Sequence, residues 1–543
     1  NGPGALAGTI ELTSAAPEEI AGIAAGFAYG RRDGVDTDAS FGLRTGEGFV
    51  TVSGAWMSGA GFIPVVAEQR GPADRPSPYR QGSLSLRGIV PVAQATELQA
   101  NVAAFTDRRE RGTVFSDIAT RGGDASLRLV RRGALPFSAL VYIQLRDFSN
   151  QFAAANADRS DANPTLDQYS VPSTGLGARF ELRPLTGATE LRLGADWRGV
   201  EGRTKELFSF SGGQPTRGRV AGGRSDTLGA YAELGGRRGP WTYSAGARLD
   251  HWGVTGGALR ETLLATRLPL TDLRFRDRSG WEATGRAGIA RRAADGLTLR
   301  AAAYRGWRLP TLNELYRPFR VGADATAANA ALGPERLDGA EAGLDIRPAG
   351  NARIGLTFFA NRLDDAISNV TLGEGPGLFP GVGFVPAGGQ FRQRQNVDAI
   401  LSRGFELDMS LAWRRWRLTG GYSYAWAEVQ ASGPAAALDG LSPAQAQRHS
   451  GSATLSWHGP DDAYAALSAH YAGAQYEDDL NRQRLPDALT FAAVAVLPVT
   501  DRLALEARAE NLSGARVVAG ISGAGIVERA TPRTLWIGLR WRG

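Results

Sequence analysis

FSALVYIQLR, residues 137–146, alternates with period two between an apolar face and a more polar one. Phe137, Ala139, Val141, Ile143 and Leu145 fall on one face of a strand, and Ser138, Leu140, Tyr142, Gln144 and Arg146 on the other, because successive side chains of a strand point to opposite sides. The scheme recurs in WTYSAGARLD (241–250), LRLGADW (191–197) and LALEARAE (503–510), where Arg192, Asp196, Glu506, Arg508 and Glu510 hold the polar side. One face is thus apolar and the other carries charges of both signs. A soluble β-sandwich would bury the apolar face and wet the other, so a single strand leaves its direction open.

The connections decide it. Tight links recur at TGEG (45–48), RRGAL (131–135), RRGP (237–240), AADG (293–296), RPAGN (347–351), GPDD (459–462) and PVTD (498–501). Between them lie long irregular links, around 147–168, 199–223, 305–338 and 363–392, and long structureless loops are uncommon inside compact soluble domains. The repeating unit is a hairpin of roughly 25 residues, and about 22 strands can be placed from Glu18 onward. With 543 residues the chain exceeds what one soluble core normally holds, yet no linker divides it. These features predict an all-β fold, a transmembrane antiparallel β-barrel of about 22 strands with short periplasmic turns and long extracellular loops. A strand crossing hydrocarbon needs about 9 to 11 residues and must pair its amides on both sides, so only a closed sheet will serve. The apolar faces would meet lipid and the charged faces would line a wide, hydrated lumen. Trp241, Tyr243, Trp413, Trp416, Trp457 and Tyr464 sit close to short turns, where an interfacial aromatic girdle belongs. TLWIGLRW (534–541) sets Leu535, Ile537, Leu539 and Trp541 on one face and reads as the closing strand.

Composition narrows the function. The net charge is +6, from 61 basic and 55 acidic residues, and Lys205 is the single lysine. The arginines are scattered among acids rather than gathered in a stripe, which argues against nucleic acid as a partner. There is no cysteine, and the four histidines, His251, His449, His458 and His470, form no zinc pattern, so no metal site or cofactor is expected. One lysine leaves no phosphate-binding GxxxxGK loop. No run of about 18 apolar residues occurs that would make a transmembrane helix. The first residues show neither a basic start nor an apolar signal core.

GWRLPTLNELYRPFR (306–320) breaks the strand pattern: it carries Pro310 and Pro318, and Thr311 and Glu314 have the spacing of a helix capping box. With NAALGPERLDGAEAGLD (329–345) behind it, this segment resembles the mid-barrel signature of the TonB-dependent receptors of Gram-negative outer membranes. SRGFELDMSLAW (402–413) resembles the family's Gly-x-Glu strand, and AENLSGARVVAG (509–520) followed by TPRTLWIGLRW resembles its C-terminal Asn-Leu loop and last strand. GPGALAGTIELTSA (2–15) is similar to the end of the family's plug domain. The resemblance spans essentially the whole chain, with a remnant of the plug over 1–16 and the transmembrane barrel over 17–543. Two features depart from the family: the signal peptide, TonB-contacting box and body of the plug do not appear here, which implies the barrel portion of a longer receptor, and the chain ends Trp541-Arg542-Gly543 where an aromatic is usual.

The resemblance implies an outer-membrane receptor that imports a scarce nutrient, commonly a ferric siderophore and sometimes haem, cobalamin or a saccharide. Energy would come from the TonB-ExbB-ExbD complex through an N-terminal segment, with outer-membrane lipid around the barrel and no catalytic residues. Haem receptors of the family usually present histidine near the signature, and none lies between His251 and His449. Arg308, Tyr316, Arg317, Phe319 and Arg320 are the candidate substrate-binding residues, since guanidinium and aromatic surfaces suit an anionic, aromatic chelate. The same arginines also have the option of pairing with Glu314, Asp324, Glu335 or lumen acids and bracing the loop. YEDDLN (476–481) offers carboxylates for calcium or a merely solvated acidic loop. LFSFSGG (207–213) puts apolar rings on another long link. Three rivals to the receptor are a passive porin-like channel without a plug, a barrel enzyme and a soluble multi-domain adhesin. For the enzyme, His449 and Ser450 are the one adjacent base–nucleophile pair, and neighbours on a strand point to opposite faces.

Overall fold

In the computed structural model, residues Gly4, Leu6, Ala15 and 20–543 are described, apart from positions 134, 188 and 322. The plug remnant expected over 1–16 therefore lies outside the described residues except at three positions, one of which, Gly4, donates its amide to the Trp307 carbonyl at 2.9 Å.

Among the described residues a single sheet of 26 strands forms the wall and its rims. Four short strands, Leu185–Thr186, Pro269–Arg274, Phe319–Val321 and Asp324–Ala327, decorate the rims. The remaining strands make a closed antiparallel barrel of 22. Closure joins the first strand, Gly22–Gly30, to the last, Thr534–Arg542, in an antiparallel register running from Ala24 opposite Arg542 to Gly30 opposite Trp536. The soluble adhesin is thereby excluded. All seven tight links fall between consecutive barrel strands, as between Gly34–Thr45 and Gly48–Gly59, or between Gln214–Arg238 and Trp241–Leu263.

Exposure settles which face points out. Large apolar side chains of the wall are the exposed ones, with Trp281 and Ile537 both at 65 % and Leu84 at 59 %, whereas Asp250 and Glu206 keep 0 % and 1 %. This inversion of a soluble protein is what a barrel bathed in hydrocarbon requires. Within 137–146 Val141, Ile143 and Leu145 point outward, while Arg146 turns inward to Asp124 at 2.8 Å. Trp413 and Trp416 face each other across a turn and Trp416 stands opposite Trp457, so a stretch of the expected girdle is contiguous on neighbouring strands.

The long links differ from expectation. Much of 147–168, 199–223 and 363–392 is strand: Phe137–Ala155 and Ala162–Leu182 leave only six residues between them, and Ala352–Glu374 pairs with Gln390–Trp413 almost to its tip. The ribbon made by Thr189–Ser211 and Gln214–Arg238 turns through Gly212 and Gly213 alone, both at positive φ (+57° and +76°) as a two-residue hairpin loop demands. Its second strand has 25 residues and is about 80 Å long, far beyond the hydrocarbon.

Candidate functional site

The 306–320 segment begins where the wall opens. Strand Leu297–Arg308 pairs with Arg278–Ala294 only as far as Arg305 opposite Gly285, so Gly306–Arg308 are held from one side, by 335–337. Trp307 enters the lumen there and is 1 % exposed. Its indole Nε1 donates to Asp250 Oδ2 at 3.0 Å. Asp250 also receives the Arg248 Nε at 2.8 Å, and Arg248 extends the chain of contacts to Asp196 through Nη1 at 2.6 Å. One buried and one half-buried carboxylate thus share one buried guanidinium, which satisfies charges that would otherwise be costly inside the barrel.

Pro310 stops the ladder because it lacks an N–H. Thr311 then caps the helix Leu312–Tyr316: its hydroxyl accepts from the Glu314 amide at 3.2 Å and its own amide donates to the Glu314 carboxylate at 2.6 Å, the reciprocal pair that the sequence predicts. Leu315 and Tyr316 bury against Trp252, Val254, Trp307 and Leu332. Tyr316 keeps 2 % of its surface, stacks on Phe275 with centroids 4.9 Å apart, and lies so close to Gly257 that a Cβ there would stand 2.3 Å from the ring.

The three arginines of the segment end differently. Arg308 donates through both Nη atoms to Glu314, at 3.1 and 3.2 Å, and through Nε to Glu335. Burial pushes the Glu314 carboxyl up, but Arg308 and the Thr311 amide outweigh it and hold it below the ordinary glutamate value. Arg317 is buried and donates to Glu206 at 2.6 Å, reaching the ribbon 189–238. Arg219 of that ribbon completes the cluster, donating to Glu206 at 3.2 Å, to Glu261 at 2.6 Å and to the Pro318 carbonyl at 2.9 Å. Among the described residues Arg320 donates to main-chain carbonyls, those of Val382 and Phe384, both at 2.6 Å. Asp324 pairs instead with Arg392, at 3.6 Å.

A residue that the sequence reading missed joins them. Arg394, on strand Gln390–Trp413, donates to the carbonyls of Asn313 and Arg317 at 2.8 and 3.2 Å and stands 5.1 Å from the Phe319 ring centroid. Arg317 also approaches the Phe319 ring, at 5.8 Å from its centroid. Among the described residues neither Arg320 nor Arg394 has a carboxylate at ion-pair distance. Burial, reinforced by Arg219 and Arg217, pulls Arg320 below the ordinary arginine value, and burial does the same to Arg394. The segment beyond Arg320 is fixed by Asp324–Ala327, which runs parallel to 391–393, and by packing of Ala325 and Ala327 on Val385 and Phe391.

Other candidates are absorbed by structure. In the acidic loop Asp478 accepts the amides of Arg482 and Gln483, at 3.2 and 2.7 Å, and Asp479 accepts the Thr371 amide at 3.1 Å. Among the described residues no three His, Cys, Asp or Glu side chains are grouped to hold a metal ion. Phe208 lies 4.2 Å beneath the Arg219 guanidinium, inside the ribbon's own packing. His449 meets Tyr422 through Nδ1 at 2.6 Å, with Ser450 on the opposite face of the strand.

The family model described as "TonB dependent receptor-like, beta-barrel" matches residues 68–512. A search of curated protein sequences finds no match. Among solved structures, the copper transporter OprC superposes with a TM-score of 0.76 at 16% identity, over 96% of this chain and 80% of that one. The ferric yersiniabactin uptake receptor FyuA from Yersinia pestis gives 0.73 at 14% identity, over 96% and 80%. The siderophore receptor PiuA from Acinetobacter baumannii gives 0.72 at 11% identity, over 96% and 81%.

Proposed function

The chain belongs to the TonB-dependent receptors, a family of transport receptors, and on that premise we propose that it imports a scarce anionic metal chelate, a ferric siderophore, across the outer membrane of a Gram-negative bacterium. The observation that carries this reading is the pair Arg320 and Arg394: two desolvated guanidiniums without a carboxylate among the described residues, one in the signature loop and one on the strand beneath it. A guanidinium held this way is poised for an anionic oxygen ligand and offers donors in a planar fork. Arg308, Tyr316 and Arg317 then brace the loop from beneath, while Arg320, Arg394 and the accessible edge of Phe319 meet the cargo. The TonB-ExbB-ExbD complex supplies the energy through a segment N-terminal to the barrel. Copper alone suits the site less well, because a chain with 2 methionines and no cysteine offers few soft ligands. The porin-like channel is the weaker alternative, since it leaves the family's signature segment without a task.

Binding of ferric chelates to the purified protein tests the reading. An anionic ferric chelate binds and its neutral analogue binds less tightly. Arg320→Gln and Arg394→Gln each weaken the anionic chelate by about tenfold, the worth of one charge-assisted contact. Equal affinity for charged and neutral chelates, or a steady open conductance in planar bilayers, overturns it.

A further inference from the structure

Arg80, Arg108 and Arg121 form a row on the outside of the barrel, immediately beyond the lipid-facing band. Registers place them: Trp56 stands opposite Gly82, Gly82 opposite Thr106, and Thr106 opposite Arg121. These positions share the outer face, since a Cβ on Gly82 would lie 2.9 Å from the Trp56 ring and 3.8 Å from the Thr106 methyl, and Trp56 is 40 % exposed beside Leu84 at 59 %. Arg80 and Arg108 lie two residues from Gly82 and Thr106 and therefore on the same side. They stand directly opposite each other on adjacent strands. The tight turns of these strands are at the other end, so the row marks the extracellular border of the hydrocarbon.

Such a placement is unfavourable by itself, because like charges directly opposite on a sheet repel. Arg121 is paired with Asp147 at 2.8 Å, yet its side chain stays 77% exposed. Among the described residues Arg80 and Arg108 have no ion-pair partner, and Arg80 leans over Trp56 at 5.9 Å. One step further from the hydrocarbon the sign reverses, with Glu110 directly opposite Asp117. A shallow hollow of about 850 Å³ includes all five of these side chains. The layering runs apolar, cationic, anionic.

We infer that this face seats the phosphate-bearing headgroup of an outer-leaflet lipid. Its phosphates lie across Arg80, Arg108 and Arg121, and its acyl chains run down past Trp56 and Leu84. The lipid phosphate relieves the Arg80–Arg108 repulsion that the protein leaves uncompensated. This inference rests on the outer-membrane placement above, and its test uses neither cargo nor energy coupling, so the two stand or fall apart.

The full chain in neutral detergent is titrated with bisphosphorylated lipid A, with the same lipid stripped of phosphate, and with inorganic phosphate, reading bound lipid by native mass spectrometry and the unfolding temperature by heat-shifted gel mobility. Bisphosphorylated lipid is retained and raises the unfolding temperature. The triple variant Arg80→Gln, Arg108→Gln, Arg121→Gln retains it at least about tenfold less well, the loss of one charged contact or more. Arg108→Lys keeps most of the retention, which separates lost charge from misfolding. Equal retention of the phosphate-free lipid overturns the inference in favour of a hydrocarbon contact, and an equal response to inorganic phosphate overturns it in favour of a soluble-anion site. Undiminished binding by a folded triple variant overturns it outright.

Discussion

Asp250 shows how much one side chain holds in this lumen. It is fully buried, and it is where strand Trp241–Leu263 and the Trp307 indole meet. Asp250→Ala leaves the Trp307 N–H unpaired and Arg248 with Asp196 alone, a loss on the order of 3 kcal/mol. The expected outcome is a clear drop in the temperature at which the compact gel band disappears, with Asp250→Asn falling less. Arg308 and Glu314 answer to pH instead. The Glu314 carboxyl sits below its ordinary value in the folded loop, so its stabilisation is complete above about pH 4.3 and is lost as pH falls through the lowered value. The chain has no cysteine, so a single label at Asn313→Cys reports the loop cleanly. Its mobility rises in the acid range below pH 4.3, and in Glu314→Gln it is already high at neutral pH; a label that stays rigid at acid pH in the parent chain contradicts this.

At the scale of elements, the ribbon Thr189–Ser211 with Gln214–Arg238 is the buttress of the signature loop, through Glu206 and Arg219. Removing residues 203–222 takes both away while sparing the lipid-facing rungs 191–197. The barrel is expected to fold with little change in unfolding temperature, while the loop becomes open to protease cleavage after Arg320 on intact cells; continued protection there means that the ribbon is not what holds the loop. The same ribbon explains what the sequence makes legible. Rungs inside the membrane show themselves because one face meets hydrocarbon and the other water, which prints the alternation of 137–146 or 241–250. Above the membrane both faces are wet, alternation disappears, and 199–223 reads as a loop although it is strand almost throughout. Likewise the Thr311–Glu314 cap is readable because it closes over three residues, and Arg308 with Glu335 follows from nearby acids. Arg317 with Glu206 spans 111 positions and leaves no periodic trace, and Arg394 belongs to a strand with nothing to mark it as part of the loop's floor.

The molecule as a whole is a wall one side chain thick, so neighbouring residues of one strand live in opposite solvents. Leu86 faces lipid at 49 % exposure, opposite Val52 and Val102, and Ser85 beside it faces the lumen. Leu86→Arg is expected to cost about 2–4 kcal/mol, the charge on a lipid face near midplane, and Ser85→Arg much less. Unfolding temperatures of the two variants check the orientation of the entire wall, and equal losses contradict it. The pairing of Gly22–Gly30 with Thr534–Arg542 adds a constraint of time rather than energy. Every other rung of the wall joins strands that are near neighbours in the chain and can form in order. This one joins residues as far apart as Ala24 and Arg542, so it waits for the last strand to arrive. Until then the sheet has two raw edges, the kind of surface on which strands of other chains pair. Both vanish in one event, which makes the final nine residues of strand the step on which a growing wall commits to being a barrel rather than an aggregate.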